Sequence, residues 1–259
     1  MDYRDKVVIV TGGTKGIGEG CVRVFIDAGS SVVFCARHQD EGDQLTAAVK
    51  GPGQAFFIKC DVADTDEIKA LIEQTVAKYG RIDCLINNAG WHPPHKPIDD
   101  FSIDDFRDLL NLNLVSIFAA CKFALPHLRK TKGNIINMSS LVGTIGQLHA
   151  TTYVASKGGI TAFTKALAID EAAHGVRVNS VSPGNIYTPL WQQAIDNSPD
   201  PAKTRADGEA AQLLGRMGTI EEAGRLCLFI ASDATFTTGV DHIISGGAEL
   251  GYGAKSRIS

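Results

Sequence analysis

Short apolar runs alternate with amphipathic stretches along the whole chain. The runs typical of buried strands lie at about residues 6–10, 31–35, 55–60, 82–86, 134–138, 176–181 and 240–244. Patterns with helical spacing fill the intervals, near residues 16–28, 40–50, 65–79, 103–129, 153–173 and 219–232. This alternation predicts a parallel sheet with helices on both faces. Because no linker or repeat divides residues 1–259, we predict one doubly wound α/β domain with a seven-stranded sheet.

One segment interrupts the alternation. Residues 188–216 contain three prolines and several charged residues in place of a clear strand–helix pair. We interpret this segment as a lid over the substrate, since such lids exclude water and complete a site. A plain surface excursion is the alternative.

Composition and charge narrow the class of protein. The chain has 259 residues, of which 44% are hydrophobic and 21% charged, enough for one large core. A net charge of −4 argues against nucleic acid or an anionic membrane as a general partner. The six cysteines form no C-x-x-C pair, so we expect reduced core thiols, no metal site and a cytoplasmic location. The start of the chain does not fit a signal peptide.

Tyr153 and Lys157 are the most informative pair of polar residues. Their spacing of one helical turn places both side chains on the same helix face, and Ser140 precedes them. A phenol has a pKa of roughly 10, so it is a poor acid or base at neutral pH unless a cation stabilises its phenolate. A serine hydroxyl can hold a substrate oxygen beside the phenol. The three residues therefore predict a proton relay for an alcohol or a ketone.

A glycine-rich turn follows the first predicted strand and opens the first predicted helix. It reads Thr11-Gly12-Gly13-Thr14-Lys15-Gly16-Ile17-Gly18. Glycine permits a sharp turn at Gly12, approach of the backbone to a pyrophosphate at Gly16, and close packing of helix and strand at Gly18. Amides at a helix N-terminus bind phosphates, so the turn predicts a dinucleotide site.

The T-G-x-x-x-G-x-G spacing, together with Ser140, Tyr153 and Lys157, resembles the short-chain dehydrogenase/reductase family over nearly the whole chain. Further motifs that resemble those of the family stand in order: Asp61-Val62, Asn87-Asn88-Ala89-Gly90, Asn113, and Pro183-Gly184 with Ile186 and Thr188. The resemblance implies a Rossmann fold and hydride transfer between a nicotinamide and a carbinol carbon.

The resemblance also implies roles for these residues. Tyr153 exchanges the hydroxyl proton, Ser140 positions the oxygen, Lys157 binds the nicotinamide ribose, and Asn113 anchors a water of the relay. Residues implied to contact the cofactor are Gly12, Thr14, Lys15, Gly16, Ile17, Gly18, Arg37, Asp61, Val62, Asn88, Ala89, Gly90, Tyr153, Lys157, Pro183, Gly184, Ile186 and Thr188. The family further implies a homotetramer.

The end of the second predicted strand bears on the choice between NAD and NADP. A carboxylate there binds the adenosine ribose and repels a 2′-phosphate, but the chain has Ala36 followed by Arg37. Arg37 suits a phosphate and Lys15 adds a second positive charge, so we favour NADP. NAD stays possible, because His92-Pro93-Pro94, the segment 182–191 and the tail 246–253 resemble those of NAD-dependent members of the family.

Those members oxidise steroid 17β-hydroxyls or L-fucose, and two substrate classes follow. By resemblance, the substrate contacts Ser140, Tyr153, His92, Gln147 and Trp191, with Tyr252 reaching in from a neighbouring subunit. An apolar wall of Leu141, Val142 and Trp191 suits a steroid, whereas His92, Gln147 and Asn185 suit the hydroxyls of a sugar. A dinucleotide-binding scaffold without catalysis is the alternative class, and the presence of both Tyr153 and Lys157 weighs against it.

Overall fold

Seven parallel strands form one sheet in the computed structural model, which describes residues 1–250. Their spatial order is β3-β2-β1-β4-β5-β6-β7. The strands are β1 (Val7–Thr11), β2 (Ser31–Ala36), β3 (Gln54–Lys59), β4 (Cys84–Asn87), β5 (Asn134–Met138), β6 (Arg177–Pro183) and β7 (Asp241–Ile244). The predicted seven-stranded parallel sheet is therefore confirmed.

Helices occupy the intervals between the strands. They are α1 (Gly16–Asp27), α2 (Gln39–Ala48), α3 (Thr65–Tyr79), α4 (Ile103–Leu110), α5 (Ser116–Thr131), α6 (Val142–Ile145), α7 (Thr151–Glu171), α8 (Pro189–Asp196), α9 (Pro201–Ala210) and α10 (Ile220–Ser232). The chain therefore has the doubly wound α/β architecture that the alternating pattern predicts.

Two buried apolar clusters lie on opposite faces of the sheet. Alternate residues of β1 belong to different clusters: Ile9 packs with α3, α5 and α7, whereas Val8 and Val10 pack with α1, α2 and α10. Successive side chains of a strand point to opposite faces, so a strand buried on both faces must be apolar throughout. All five residues of β1 are buried, which explains its continuous apolar run.

The strand order reverses beside β1. β1 pairs with β2 on one side and with β4 on the other, in parallel register on both. The connections leaving β1 and β4 therefore diverge and open a crevice at the carboxyl ends of these strands. Ligands of open α/β sheets bind in such crevices. The glycine turn follows β1, so the fold places it at this crevice.

The predicted helix over residues 103–129 is interrupted. A π-helical turn at Asn111–Val115 separates α4 from α5. An apolar spacing cannot reveal one extra residue in a turn, which explains why the sequence predicts a single helix. The run Ile103–Thr131 is long and apolar enough to span a membrane by composition, but half of its most apolar window is buried within the protein. Core helices pass the same test, and α5 contributes Ile117, Ala124 and Leu128 to the core.

Residues 188–216 leave the sheet, as their composition indicates. They form α8 and α9, each of which begins with a proline in its first turn, where a missing N–H costs no hydrogen bond. The α9 backbone is held to the chain after β6, since Asn185 Nδ2 donates to Gly208 O at 2.8 Å.

Candidate active site

The glycine turn between β1 and α1 is packed without room for side chains. Gly12 and Gly16 have φ values of +63° and +59°, which favour glycine. A Cβ on Gly18 would lie 2.1 Å from Gly12 O, and one on Gly12 would lie 2.9 Å from the backbone of Ala89. This turn can present its backbone to a ligand at short range.

Asn88 holds the turn in place. Its Nδ2 donates to Thr11 O at 2.9 Å and to Gly12 O at 3.0 Å. The Thr11 hydroxyl in turn accepts from the backbone amides of Asn88 and Ala89, both at 3.0 Å. These bonds tie the chain after β4 to the chain after β1. Asn88 and Ala89, expected to contact a cofactor, therefore also support the glycine turn.

The opposite wall of the crevice comes from the chain after β6. A Cβ on Gly16 would lie 3.5 Å from Thr188 Cγ2, so the glycine turn faces Thr188 directly. Ile186 is buried, and Gly184 N donates to Ile244 O at 2.9 Å, which ties the expected nicotinamide-side segment to β7. The features between these walls suit a dinucleotide: a glycine turn without side chains at Gly12 and Gly16, a helix N-terminus, and a cleft at the reversal of strand order.

Two of the residues expected to contact the cofactor lie after β3. Val62 is buried in the core behind the crevice. Asp61 is half-buried and its Oδ1 accepts from Ala63 N at 3.0 Å, which caps the turn that leads to α3. Ile17, the remaining member of the glycine motif, is half-buried and packs against the core below α1.

The two cations expected to favour a 2′-phosphate differ in their surroundings. Arg37 is exposed beyond β2 and makes no ion pair or side-chain hydrogen bond with any residue from 1 to 250. Lys15 lies 3.6 Å from Glu41 Oε1, and Thr14 Oγ1 donates to Glu41 Oε2 at 3.0 Å. The sequence did not indicate Glu41, because its first-turn position in α2 is where any helix favours an acid.

Ser140, Tyr153 and Lys157 meet at the carboxyl end of β5. Ser140 follows the strand, and α7 carries the other two residues on one face, where Ser140 and the Tyr153 phenol are hydrogen-bonded. Lys157 is 4% exposed, and its Nζ donates to Met138 O at 2.8 Å. The same Nζ lies 5.7 Å from the centroid of the Tyr153 ring. The predicted relay residues are therefore neighbours.

The pKa of Tyr153 departs from the sequence-based expectation. Burial raises it to about 12, and the hydrogen bond with Ser140 offsets only part of that rise. Burial also lowers the pKa of Lys157 to about 8. The expected lowering by Lys157 is absent because the ammonium faces the Met138 carbonyl and lies over the ring rather than against the phenol oxygen. Both shifts come from the loss of water around charged forms.

Asn113 is fully buried within the π-helical turn. Its amide forms two bonds with the backbone of Trp91, from Trp91 N to Oδ1 at 2.9 Å and from Nδ2 to Trp91 O at 3.0 Å. Nδ2 also donates to Ser156 Oγ at 3.1 Å. A Cβ on Gly90 would lie 3.1 Å from Asn113 Oδ1 and 3.6 Å from Lys157 Nζ. Asn113 thus joins the chain after β4 to α7 beside the buried lysine.

His92 lies over the ring of Tyr153. The two ring centroids are 4.1 Å apart. His92 Nδ1 is 2.6 Å from Pro93 O, and a carbonyl only accepts, so Nδ1 carries a proton. The other nitrogen, Nε2, lies 3.1 Å from Gln147 Oε1. The sequence-predicted pair His92 and Gln147 is therefore in contact at the phenol.

Of the other two expected substrate contacts, Trp191 and Tyr252, only Trp191 lies within the described residues. Trp191 lies in α8 and packs on α9, since a Cβ on Gly208 would come within 2.9 Å of the indole. Its indole therefore helps hold α8 and α9 together. Tyr252 lies outside the described residues. No group of three or more His, Cys, Asp or Glu in residues 1–250 is arranged to hold a metal ion.

Comparisons with known proteins agree with this geometry. A family model described as enoyl-(acyl carrier protein) reductase matches residues 12–249. The chain is 50% identical over 254 residues to L-fucose dehydrogenase of Bos taurus, covering 98% of this chain and 93% of the relative. It is 35% identical over 257 residues to meso-2,3-butanediol dehydrogenase of Serratia marcescens, covering 98% of each.

Solved structures show the same fold. The crystal structure of levodione reductase superposes with a TM-score of 0.92 at 25% identity, over 96% of this chain and 100% of that one. The glycine turn, the Ser140, Tyr153 and Lys157 cluster and these matches lead to one conclusion: the chain belongs to the short-chain dehydrogenase/reductase family and is an NAD(P)-dependent oxidoreductase.

Proposed function

We propose that the protein oxidises an L-fucose-like sugar with NADP⁺ as the preferred cofactor. The observation that carries the substrate class is the contact between Gln147 and His92, whose ring lies over the ring of Tyr153. Relatives named L-fucose dehydrogenase at about half identity support the same class. The absence of an acid at Ala36 and the unpaired guanidinium of Arg37 within the described chain support NADP⁺.

When bound, the cofactor would supply the acceptor for a hydride, one proton with two electrons, from the carbinol carbon. The protein then has to orient the alcohol and remove its hydroxyl proton. Ser140 holds the substrate oxygen beside Tyr153, and the Tyr153 phenolate takes the hydroxyl proton and becomes the phenol. Lys157 is buried next to the ring, where its charge favours the phenolate once the ammonium turns from Met138 O toward the phenol. Asn113 fixes the backbone of Trp91 and thereby the loop that carries His92.

The polar pair gives the substrate preference a physical basis. With Nδ1 bonded to Pro93 O, the His92 ring is held so that Nε2 and Gln147 Oε1 lie together, where polar atoms can bind a substrate hydroxyl. Gln147 offers both a donor and an acceptor at the same place. A site that hydrogen-bonds several hydroxyls rejects a molecule without them, because its polar groups are then left unpaired. A hydroxysteroid carries few such groups, and Leu141, expected in an apolar wall, is only 4% exposed.

Three further features belong to the proposal. The segment 188–216 covers the substrate as a lid, for which its position after the Thr188 wall is the support. The assembly is a homotetramer, supported by the exposed apolar side chains of α5, α7, α10 and β7. The protein works in the cytoplasm, supported by six free cysteines that are all buried.

A matrix of initial rates tests the substrate and the cofactor together. L-fucose, a 17β-hydroxysteroid and a simple secondary alcohol are each measured with NADP⁺ and NAD⁺. Among these six combinations, we expect the largest kcat/KM for L-fucose with NADP⁺. Gln147→Leu should lower kcat/KM for the sugar about 10²-fold and leave the simple alcohol within about threefold.

Gln74→Leu is the matched control, because Gln74 is an exposed α3 residue with no side-chain bond in the described chain. A larger kcat/KM for the steroid, or equal loss of activity for sugar and simple alcohol in Gln147→Leu, would overturn the sugar assignment.

A further inference from the structure

Glu41 links the first turn of α2 to the glycine turn. One carboxylate oxygen accepts from Thr14 Oγ1 at 3.0 Å, and the other lies 3.6 Å from Lys15 Nζ. The Glu41 side chain is 35% exposed and the Lys15 side chain 64%, so this contact sits at the mouth of the crevice. Its neighbour beyond β2, Arg37, has no such partner in the part of the chain that the structure describes.

The contact changes the electrostatics expected for the adenosine end. The sequence predicts that Lys15 and Arg37 are both available to a 2′-phosphate. In the structure, the Lys15 ammonium already faces the Glu41 carboxylate. A phosphate would have to compete with Glu41 for Lys15. It would also meet the negative charge of Glu41 itself, and like charges brought together at a binding site reduce affinity.

The two oxygens of Glu41 act on different properties of the turn. The bond from Thr14 is charge-assisted and fixes the turn for any dinucleotide, whichever ribose substituent is present. The ion pair with Lys15 affects only a ligand with extra negative charge at that end. A substitution that removes the charge of Glu41 but keeps the shape of its side chain therefore separates the ion pair with Lys15 from the bond with Thr14.

We propose that Glu41 is a specificity-determining residue for the cofactor, which weakens binding of the 2′-phosphate by holding Lys15 and by its own charge. Arg37 favours the 2′-phosphate and Glu41 opposes it, so the NADP⁺ preference reflects their balance. This inference rests on the proposed preference for NADP⁺, but its test is independent of turnover.

The test is a calorimetric measurement of the equilibrium binding of NADP⁺ and NAD⁺ to the whole protein without substrate. Glu41→Gln keeps an acceptor for Thr14 and removes the charge. We expect its affinity for NADP⁺ to rise about three- to fivefold, the size of a partly exposed charge interaction, with NAD⁺ unchanged within about twofold. Asp40→Asn is the matched control, because Asp40 carries the same charge in the same helical turn but contacts no side chain in the described chain.

A second arm tests the role of Lys15. Lys15→Met should lower NADP⁺ affinity little in the wild-type protein and several-fold more in the Glu41→Gln protein, because only there is the ammonium free. Equal losses in both backgrounds would contradict the proposal. Equal shifts for the two cofactors in Glu41→Gln, or the same selective gain in Asp40→Asn, would also overturn it.

Failure of the underlying preference has a different signature. A wild-type protein that binds NAD⁺ more tightly, with a ratio unchanged by Arg37→Ala, would contradict the NADP⁺ assignment. In that case, a selective rise of NADP⁺ affinity in Glu41→Gln would still support the role of Glu41, because the effect is measured against the wild-type affinity for NADP⁺.

Discussion

At the scale of single residues, the relay is held in a form that is not yet reactive. Burial raises the pKa of Tyr153 to about 12 and lowers that of Lys157 to about 8. Both shifts favour the neutral forms, since a buried charge loses its hydration. Movement of the Lys157 ammonium from the Met138 carbonyl toward the phenol would reverse both tendencies, because each charge then stabilises the other.

The buried Lys157 predicts a pH dependence of stability. Its pKa of about 8 in the folded protein lies below the ordinary lysine value of 10.5, so between these values the unfolded chain binds more protons. The free energy of unfolding therefore rises with pH across this window. Relative to Lys157→Met, which lacks the titrating group, the wild-type protein should gain about 2 kcal/mol between pH 8 and pH 10.

Urea unfolding of both proteins without nucleotide, at several pH values, measures this difference. Comparison with Lys157→Met cancels the contribution of Tyr153, whose raised pKa acts in the opposite direction above pH 10 in both proteins. Parallel stability curves for the two proteins would show that Lys157 keeps its proton in the folded state.

At the scale of elements, two connections define the site: the turn from β1 to α1 and the chain after β4. Asn88 joins them through two bonds from one amide nitrogen. The glycines leave no space for the turn to shift, since a Cβ on Gly18 would also lie 2.5 Å from Asn88 Nδ2. The site therefore depends on loops that are held by polar contacts rather than by apolar packing.

Asn88→Asp should weaken this junction strongly. The substitution keeps the shape but turns a donor into an acceptor that faces two carbonyl oxygens. We expect the free energy of unfolding without nucleotide to fall by about 2 kcal/mol, the cost of buried acceptors left without a donor. Asn111→Asp is the control, because Asn111 is exposed and makes one bond, to Ala63 O at 3.2 Å, so its effect should be under about 1 kcal/mol. Equal losses in the two variants would contradict the role given to Asn88.

Strands and helices could be predicted because their apolar spacing is local. The run before Gly12 alternates between two buried faces, and the Tyr153 to Lys157 spacing requires only one helical turn. The π-helical turn around Asn113 could not be predicted, because it depends on one extra residue that the spacing of α4 and α5 hides. Glu41 was also missed, since its contact with Lys15 joins two elements that only the fold brings together.

At the scale of the whole molecule, exposed apolar side chains occur on two sets of elements, which we propose form two separate surface patches. One comprises Val115, Phe118 and Ile169 on the chain from the π-helical turn through α7, and the other comprises Phe229, Phe236, Val240 and Ile243 near β7. Phe236 is fully exposed. Exposed apolar patches of this kind typically mark protein interfaces, and two separate ones suit a tetramer with two-fold axes.

Sedimentation measures the assembly directly. We expect particles of about four times the chain mass of 27.6 kDa at micromolar concentration. Phe118→Glu places a charge in the first patch and should give smaller particles, whereas Leu148→Glu, outside both patches, should not. Monomers of the wild-type protein at this concentration would contradict the tetramer.

The proposed oxidation depends on Tyr153, which removes the hydroxyl proton of a sugar while a hydride passes to the cofactor. Tyr153→Phe keeps the ring under His92 and removes the phenol oxygen. The most direct measurement is the rate of reduced nicotinamide formation after L-fucose and NADP⁺ are mixed with wild-type and Tyr153→Phe proteins. We predict that Tyr153→Phe lowers this rate at least about 10²-fold and leaves the affinity for NADP⁺ unchanged within about threefold. Undiminished formation of reduced cofactor by a folded Tyr153→Phe protein would contradict it.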